Sequence, residues 1–397
     1  MSMTATRHIL CLNSGSSSIK FAIFALGAGG EEKLAEGAAE RIGQRAGRVW
    51  LRQGETTPAI DRQLALPRQQ DALKAVFAAL AELHCPPPEG VGHRIVSGGP
   101  HHQTHRLIDD GLLRDLRAAL RFAPLHLPAE IAAIEAVQTA WPHIPQIACF
   151  DTAFHQTIPE IASRLPLPRN LWHEGVRKYG FHGLSYEYIV SQFPAHADGK
   201  TIIAHLGNGA SMAAVRNGQC RDTTMGLTPT GGLVMGTRSG DLDPGVLLYL
   251  MEEKGYDAGQ LERLLNHLSG LLGISACSGD MQTLLNLRGD DPHARQAIDI
   301  FAYHARKAIG SLMAVLGGLD RLIFTGGIGE HAATVRWAIC QPLRALGLEM
   351  DPVANEGPGP HISVPHSPVD ILVIPTNEDL MIARHSHRLL LAREHPR

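Results

Sequence analysis

Three groups of residues in this sequence have types and spacings that suit chemistry on a phosphate or a carboxylate. The first is a small-residue turn, Asn13-Ser14-Gly15-Ser16-Ser17-Ser18, with Lys20 just beyond it. Small side chains let backbone N–H groups close on phosphate oxygens, and serine hydroxyls add donors. Lys20 can reach a phosphate as a point charge. The G-x-x-x-x-G-K-[ST] spacing is absent, and a surface hairpin with a polar tip accounts for the stretch equally well. The second group is two arginines in glycine-rich loops, Arg94 in GHRIVSGG and Arg238 in MGTRSGDLDPG, the latter beside Asp241 and Asp243. A guanidinium there suits clamping a carboxylate or phosphate, although each arginine alone also reads as a surface charge. The third is His182 in KYGFHG, Asp151 at the end of an apolar run, and the oxygens of Asn13 and Glu378. Hard oxygens suit Mg2+, held mostly through its waters. A lone histidine between an aromatic and glycines is commonly structural, and Asp151 reads either as a catalytic position at a strand end or as a helix cap.

The elements that must position these groups alternate between strand and helix. HILCLNSGSSSIKFAIF (8–24) is two β-like runs around the turn, a hairpin pattern. TIIAHLGNGASMAAVRNGQ (201–219) repeats strand, Gly-rich turn, strand; laid on the first copy, Gly209 falls on Gly15 and Ser211 on Ser17. Two such hairpins half a chain apart suggest an internal duplication. HLGNGASM begins like G-x-G-x-x-G, but Met212 stands at the third glycine and a strand follows, so a phosphate-facing hairpin fits better than a dinucleotide fold. Residues 69–84 place Leu73, Val76, Phe77, Leu80 and Leu83 at helical spacing, ended by Pro86-Pro87-Pro88. Residues 128–140 read as a second amphipathic helix, followed by the strand IPQIACF. Asp243-Pro244 opens a helix by the cap-then-proline rule, and a long helix spans about 295–316, stopping at Gly317-Gly318. FTGGIGE turns from a strand into a helix and offers free amides to a phosphate or ribose, or is a tight structural turn. DILVIP is a last strand before Thr376-Asn377-Glu378-Asp379. The class is α/β.

The chain of 397 residues is long enough for about two domains. With 44% hydrophobic and 19% charged residues it can bury a large core. A formal net charge of −3 lacks the basic excess of a nucleic-acid binder, so no nucleic-acid partner is expected. No apolar run approaches the length of a membrane span, and MSMTATRHILCLN lacks a signal-peptide core. Six cysteines lie far apart without a C-x-x-C pair, which argues against a zinc site or disulfide framework and for a reducing cytoplasm. His101, His102 and His105 cluster, as a metal site or as a solvated loop.

Taken together and in order, LNSGSSSIKF, GHRIVSGG, APLHLP, FDTAFHQTIP, YGFHGLSYEY, the block 205–245, SGLLGIS, FTGGIGE and IPTNEDLMIAR resemble the acetate kinase family over about residues 8–385. The resemblance implies an acetate and sugar kinase/heat-shock/actin fold with two ribonuclease-H-like domains around a cleft, residues 1–150 plus 381–397 and residues 151–380. It implies reversible transfer between ATP/ADP and acetate with Mg2+, or alternatively Mn2+, in a cytoplasmic homodimer. By motif position, Asn13 and Glu378 look like metal residues, Lys20 like an ATP contact, Arg94 like the carboxylate-binding arginine, and Asp151 like the residue assigned proton transfer. His182 and Arg238 look like transition-state stabilisers. The nucleotide segments match His205, Leu206, Gly207, Asn208 and Gly209, then Asp280, Met281 and Gln282, then Gly327, Ile328, Gly329, Glu330 and His331. Val96, Leu125, Phe181 and Pro229 match the pocket around the substrate methyl.

The chain departs from the family pattern in places. A-P-L-H-N-P has Leu127 for its asparagine, F-H-G-T-S-H ends in Leu184-Ser185-Tyr186, and G-I-G-E-N ends in His331. Gln282 replaces an arginine expected on the nucleotide base, removing a cation–π contact there and leaving the phosphoryl donor open. Because phosphoryl transfer needs positioning and charge stabilisation, the expected mechanism is direct in-line transfer. An acetate ion needs no base, so Asp151 is expected to orient Arg238 or metal-bound water. The alternatives are a propionate or butyrate kinase, since one methylene discriminates weakly, or a nucleotide-driven binding module of the same fold.

Overall fold

The computed structural model describes residues 6–15, 17–54, 57–120, 123, 126–193 and 199–394. Two compact units partition the chain: Met1–Ala153 with Asn377–Arg397, and Phe154–Thr376.

The first unit is built on strands β1 (Arg7–Ser14), β2 (Ser18–Gly27), β3 (Gly30–Glu40), β4 (Gly47–Arg52), β5 (Ile60–Leu64), β6 (Gly90–Ile95), β7 (Arg106–Leu107) and β8 (Gln146–Phe150). Their order in the sheet is β5-β4-β3-β2-β1-β6-β8-β7. Strands β1 to β5 form an antiparallel meander. Strand β6 then runs parallel to β1, and β8 parallel to β6. Parallel neighbours require crossovers, which the helices Gln69–Glu82 and Leu127–Ala140 provide. The first buries Leu73, Val76 and Leu80, three of the residues at helical spacing. These meet Leu10, Leu12, Phe21 and Ile23 on one face of the sheet, together with Ala133 and Val137 of the second helix.

Alternation along β1 turns Ile9 to the opposite face. There the helix Glu378–Glu394 lies on β1, β2, β6 and β8. It lies close enough that a Cβ on Gly92 would sit 2.4 Å from Ile382 Cγ2 and 2.4 Å from Ser386 Oγ. This docking brings the C-terminal helix back to the first sheet.

The second unit carries β9 (Lys200–Leu206), β10 (Ala210–Arg216), β11 (Gln219–Thr223), β12 (Arg321–Thr325) and β13 (Asp370–Val373), in the order β11-β10-β9-β12-β13. Three antiparallel strands are followed by two parallel ones, the same pattern as β3-β2-β1-β6-β8. The duplication is therefore visible in the topology. Its register differs from the sequence overlay, however. Strand β1 ends at Ser14 and β9 at Leu206, so Gly207, rather than Gly209, follows its strand as Gly15 does. The overlay matched glycines and serines, whereas strand pairing sets the turn. The helix Pro292–Leu316 packs on β9, β10 and β11. It starts earlier than the periodicity indicates because Asp291 caps it, accepting from His293 and Ala294 N–H ahead of Pro292.

Gly92→Ala should lower stability by about 1–3 kcal/mol through overpacking, read as a drop in Tm. An unchanged Tm would mean the C-terminal helix can shift freely on β6.

Candidate active site

Each unit carries its own cluster at the carboxyl ends of parallel strands, where ligands collect in open α/β sheets. In the first unit, β1, β6 and β8 are neighbours, and each has a residue singled out from the sequence within one position of its end: Asn13 and Arg94 just before it, Asp151 just after it. Arg94 Nε and Nη2 donate to Asp151 Oδ2 at 2.9 and 2.6 Å, and Nη1 donates to Asn13 Oδ1 at 3.1 Å. Glu378, opening the C-terminal helix, places Oε2 at 3.9 Å from Arg94 Nε. A guanidinium has five N–H groups. Three are engaged here, leaving one on each terminal nitrogen, the planar pair that fits a carboxylate. Burial opposes the charge on Arg94, but Asp151, Glu378 and Glu130 outweigh it and hold the arginine firmly protonated. Asp151 is fully buried and is engaged by Arg94, a partner the sequence reading did not name for it.

Lys20 sits opposite Asn13 in the β1–β2 register and is exposed. Beside Glu378 stands Asp379. Burial and then Glu378 push its carboxyl up to about 6, with Lys20 pulling the other way. Glu378, Asp379 and the Asn13 amide make an all-oxygen donor set, the chemistry that Mg2+ and Mn2+ prefer. A buried carboxyl raised chiefly by desolvation and then by Glu378 is one that a divalent cation would stabilise in its ionised form. These residues fit such an ion.

Val96 is buried on the loop after β6. Behind it is Glu130 of the helix Leu127–Ala140, a residue that sequence reasoning missed. Both Glu130 oxygens lie 3.2 Å from Val96 N, which donates to them. Burial raises this carboxyl to about 8, against the pull of Arg94 and the Val96 N–H. A single acid in an amphipathic helix carried no signal of this; Asp379, adjacent to Glu378, did. Leu125 lies outside the described residues.

In the second unit, His182 precedes the helix Gly183–Ser191 with φ 58, a left-handed conformation uncommon outside glycine. His155 Nε2 donates to the Phe181 carbonyl at 2.9 Å and fixes the peptide before it. Burial lowers the His155 pKa to about 4, so its ring is neutral. The His182 ring stacks on His205 at 4.2 Å, and its Nδ1 lies 2.8 Å from Ser211 Oγ. Arg238 Nη1 donates to the Pro229 carbonyl at 3.1 Å. A Cβ placed on Gly209 would lie 3.4 Å from His182 Nε2 and 3.6 Å from Arg238 Nη1. Imidazole and guanidinium therefore face one space beside the β9–β10 turn. Phe181 and Pro229 are buried.

The other matched segments divide by role. Gly326 (φ 75) starts the turn after β12, and a Cβ there would sit 2.8 Å from the Leu206 carbonyl oxygen. That close approach puts Gly327 beside Gly207, with open space over Gly327. Glu330 is turned inward: its carboxylate accepts from Gly326 N at 2.9 Å and Thr376 N at 3.2 Å. Ile328 is half-buried, Gly329 buried and His331 exposed. Asn208 accepts from Gly236 N at its backbone oxygen. Asp280 caps the helix Met281–Leu287, accepting from Thr283 N at 2.8 Å. Met281 and Leu206 are buried. Gln282 donates to Asn286 Oδ1 at 3.3 Å along the exposed face of its helix.

The sequence model of the acetokinase family matches residues 8–384. Acetate kinase from Rhodopseudomonas palustris is 47% identical over 394 residues, covering 96% of this chain and 98% of its own. The crystal structure of a propionate kinase from Francisella tularensis superposes with a TM-score of 0.90 at 39% identity, covering 96% of this chain and 100% of that one. That of Porphyromonas gingivalis acetate kinase gives 0.86 at 35% identity, covering 97% and 100%.

Glu130 supplies a pH test of this geometry. Its folded pKa of about 8 lies above the ordinary carboxyl value of about 4.3. The stability from its protonated form is complete below the lower value and is lost as pH rises through the higher one. Glu130→Gln, which keeps an oxygen for Val96 N–H, should gain stability relative to the parent as pH rises from about 4.3 to about 8. Melting curves across that range check it; a pH-independent difference in Tm would rule out the buried carboxyl as its source.

Proposed function

The chain belongs to the acetokinase family, and from that premise we propose that it transfers the γ-phosphoryl group of ATP reversibly to acetate, giving acetyl phosphate and ADP. Members of this family are kinases acting on a carboxylate. The α/β class with two ribonuclease-H-like units, of the acetate and sugar kinase/heat-shock/actin type, is the fold expected from the sequence. The observation that carries the reading is Arg94, held by Asp151 and Asn13 so that its two remaining N–H groups form a carboxylate-binding end.

In this reading Arg94 orients the acetate oxygen for in-line attack, and Val96, Leu125, Phe181 and Pro229 are assigned to the methyl by motif position alone. Arg238 neutralises charge on the equatorial oxygens of the transferring group and His182 donates a hydrogen bond to them, where charge stabilisation is worth most. An acetate ion has no proton to lose at neutral pH, so Asp151 serves as the anchor of Arg94. Lys20 and the turns at 207–209 and 326–331 take the nucleotide phosphates. Mg2+, or Mn2+ with the same oxygen preference, would be held by Glu378, Asp379 and Asn13, and when bound supplies charge neutralisation at the donor phosphates. The propionate reading is favoured by the likeness to the Francisella tularensis enzyme. All six cysteines are free thiols, in keeping with a reducing cytoplasm, and no described helix is long and apolar enough to cross a membrane.

The homodimer is supported by the helix Pro244–Lys254, which has no buried residue. It exposes Val246, Leu248, Tyr249 and Met251, and such an apolar patch marks an interaction face.

Three measurements test the proposal. Acyl phosphate formed from ATP with acetate, propionate and butyrate should give the highest kcat/KM with acetate; ATP hydrolysis without acyl phosphate would refute kinase activity. Arg238→Leu should lose about 10²–10³ in kcat, whereas Arg94→Lys, which keeps a charge against Asp151 but loses the planar fork, should chiefly raise the KM for acetate. Leu248→Glu should sediment as a monomer, and an unchanged mass would move the dimer contact off this helix.

A further inference from the structure

Tyr186 stands where the family pattern has histidine, and the reaction above leaves it without a role. Resting on that reading of His182, we propose that Tyr186 is a positioning residue: acting through Ser211, its hydroxyl holds His182 in the tautomer whose Nε2–H faces the transferring phosphoryl group.

The geometry lies within the second unit. Tyr186 follows His182 by four residues, in the first turn of the helix Gly183–Ser191 that His182 precedes. Its N–H donates to the His182 carbonyl in the first turn at 3.1 Å. Its ring is fully buried and lies edge-on to His155, with centroids 5.6 Å apart. Ser211, on β10 opposite His205 of β9, is also fully buried. Its Oγ lies 2.5 Å from the Tyr186 hydroxyl and 2.8 Å from His182 Nδ1. His205 closes the ring's other side by stacking, and is itself placed by Ser185 Oγ at 2.8 Å from its Nδ1. Backbone, ring face and Nδ1 of His182 are thus each specified by a named partner, while Nε2 faces the space beside Gly209 with Arg238.

Proton counting then sets the tautomer. A serine hydroxyl has one proton and two lone pairs. A phenol is more acidic than an alkanol, so in this pair Tyr186 donates and Ser211 accepts. The Ser211 proton is then directed to His182 Nδ1, which accepts it, and the neutral ring carries its own hydrogen on Nε2. That hydrogen is a donor to a phosphoryl oxygen. Without the phenol, Ser211 satisfies its oxygen from Nδ1–H instead. Nε2 becomes a bare acceptor, which repels the same oxygens.

The test uses Tyr186→Phe, which removes one oxygen and keeps the buried ring, in the full-length protein. With Tm and both KM values near those of the parent, kcat should fall about tenfold, the scale of one hydrogen bond lost in the transition state. Ser211→Ala should fall similarly. The double variant should be no worse than either single one, because both act through one chain of protons. Independently of turnover, ¹⁵N-histidine NMR should show the His182 proton on Nε2 in the parent and on Nδ1 in Tyr186→Phe. Unchanged kcat in folded Tyr186→Phe, multiplicative losses in the double variant, or an unchanged tautomer would each overturn the proposal. If the parent made no acyl phosphate, the function reading would fall, and the tautomer shift would still decide the role of Tyr186.

Discussion

The ion pair between Arg94 and Asp151 is the interaction on which the chemistry proposed for the first unit depends. Asp151 has no exposure, and a buried carboxylate without a partner costs several kcal/mol, roughly 3–5 when one member of such a pair is removed. The fold meets that cost by running β6 and β8 parallel and in register, Arg94 beside Cys149 and Ile95 beside Phe150, so that arginine and aspartate emerge at the same sheet edge. Asn13, at the end of the next strand, takes a third N–H. The guanidinium is thereby rigid before any substrate arrives. Preorganisation of this kind lets a donor act without reorganising during the reaction.

Around Arg94, acidic groups accumulate: Asp151, Glu378 and Glu130 act on it electrostatically, and Glu378 acts in turn on Asp379. Two of these carboxyls have raised pKa values, about 8 for Glu130 and about 6 for Asp379, chiefly through burial and secondarily through a neighbouring carboxylate. Glu130 is sealed behind Val96 and is relieved by a proton, whereas Glu378 and Asp379 open the C-terminal helix beside Lys20, where a divalent cation is the natural complement. One electrostatic problem thus has two solutions, set by how far each group is from solvent.

The second unit solves a different problem, the orientation of the His182 ring. His182 occupies a left-handed backbone conformation, and a strained site of that kind persists only when its surroundings over-determine it. Here they do: His155 holds the preceding carbonyl, His205 stacks on the ring and Ser211 meets Nδ1. Cys220 lies 3.2 Å from His155 Nδ1; burial lowers the His155 pKa to about 4 and raises that of the Cys220 thiol, so this part of the support is uncharged. Such partners fix geometry without adding charge of their own.

Much of this was legible from local signals. The hairpins at 8–24 and 201–219, the helix at 69–82, the cap at Asp243 and the turn after β12 each follow from spacing, proline or glycine, because those rules act within a few residues. Arg94 and Arg238 stood out for the same reason, set among glycines, as did His182 between an aromatic and glycines and Asp151 at the end of an apolar run. The strand β3 did not. GEEKLAEGAAE is rich in helix-forming residues, and it is extended because β2 and β4 pair with it on both sides. Nor could Glu130 be read as buried, Ser211 as the neighbour of His182, or Asp151 as the partner of an arginine 57 residues away. Residue types and their order therefore determined which groups could take part in phosphoryl transfer. Only tertiary structure decided which of them touch, because hydrogen bonds, burial and pKa depend on distances across strands that the linear spacing does not contain.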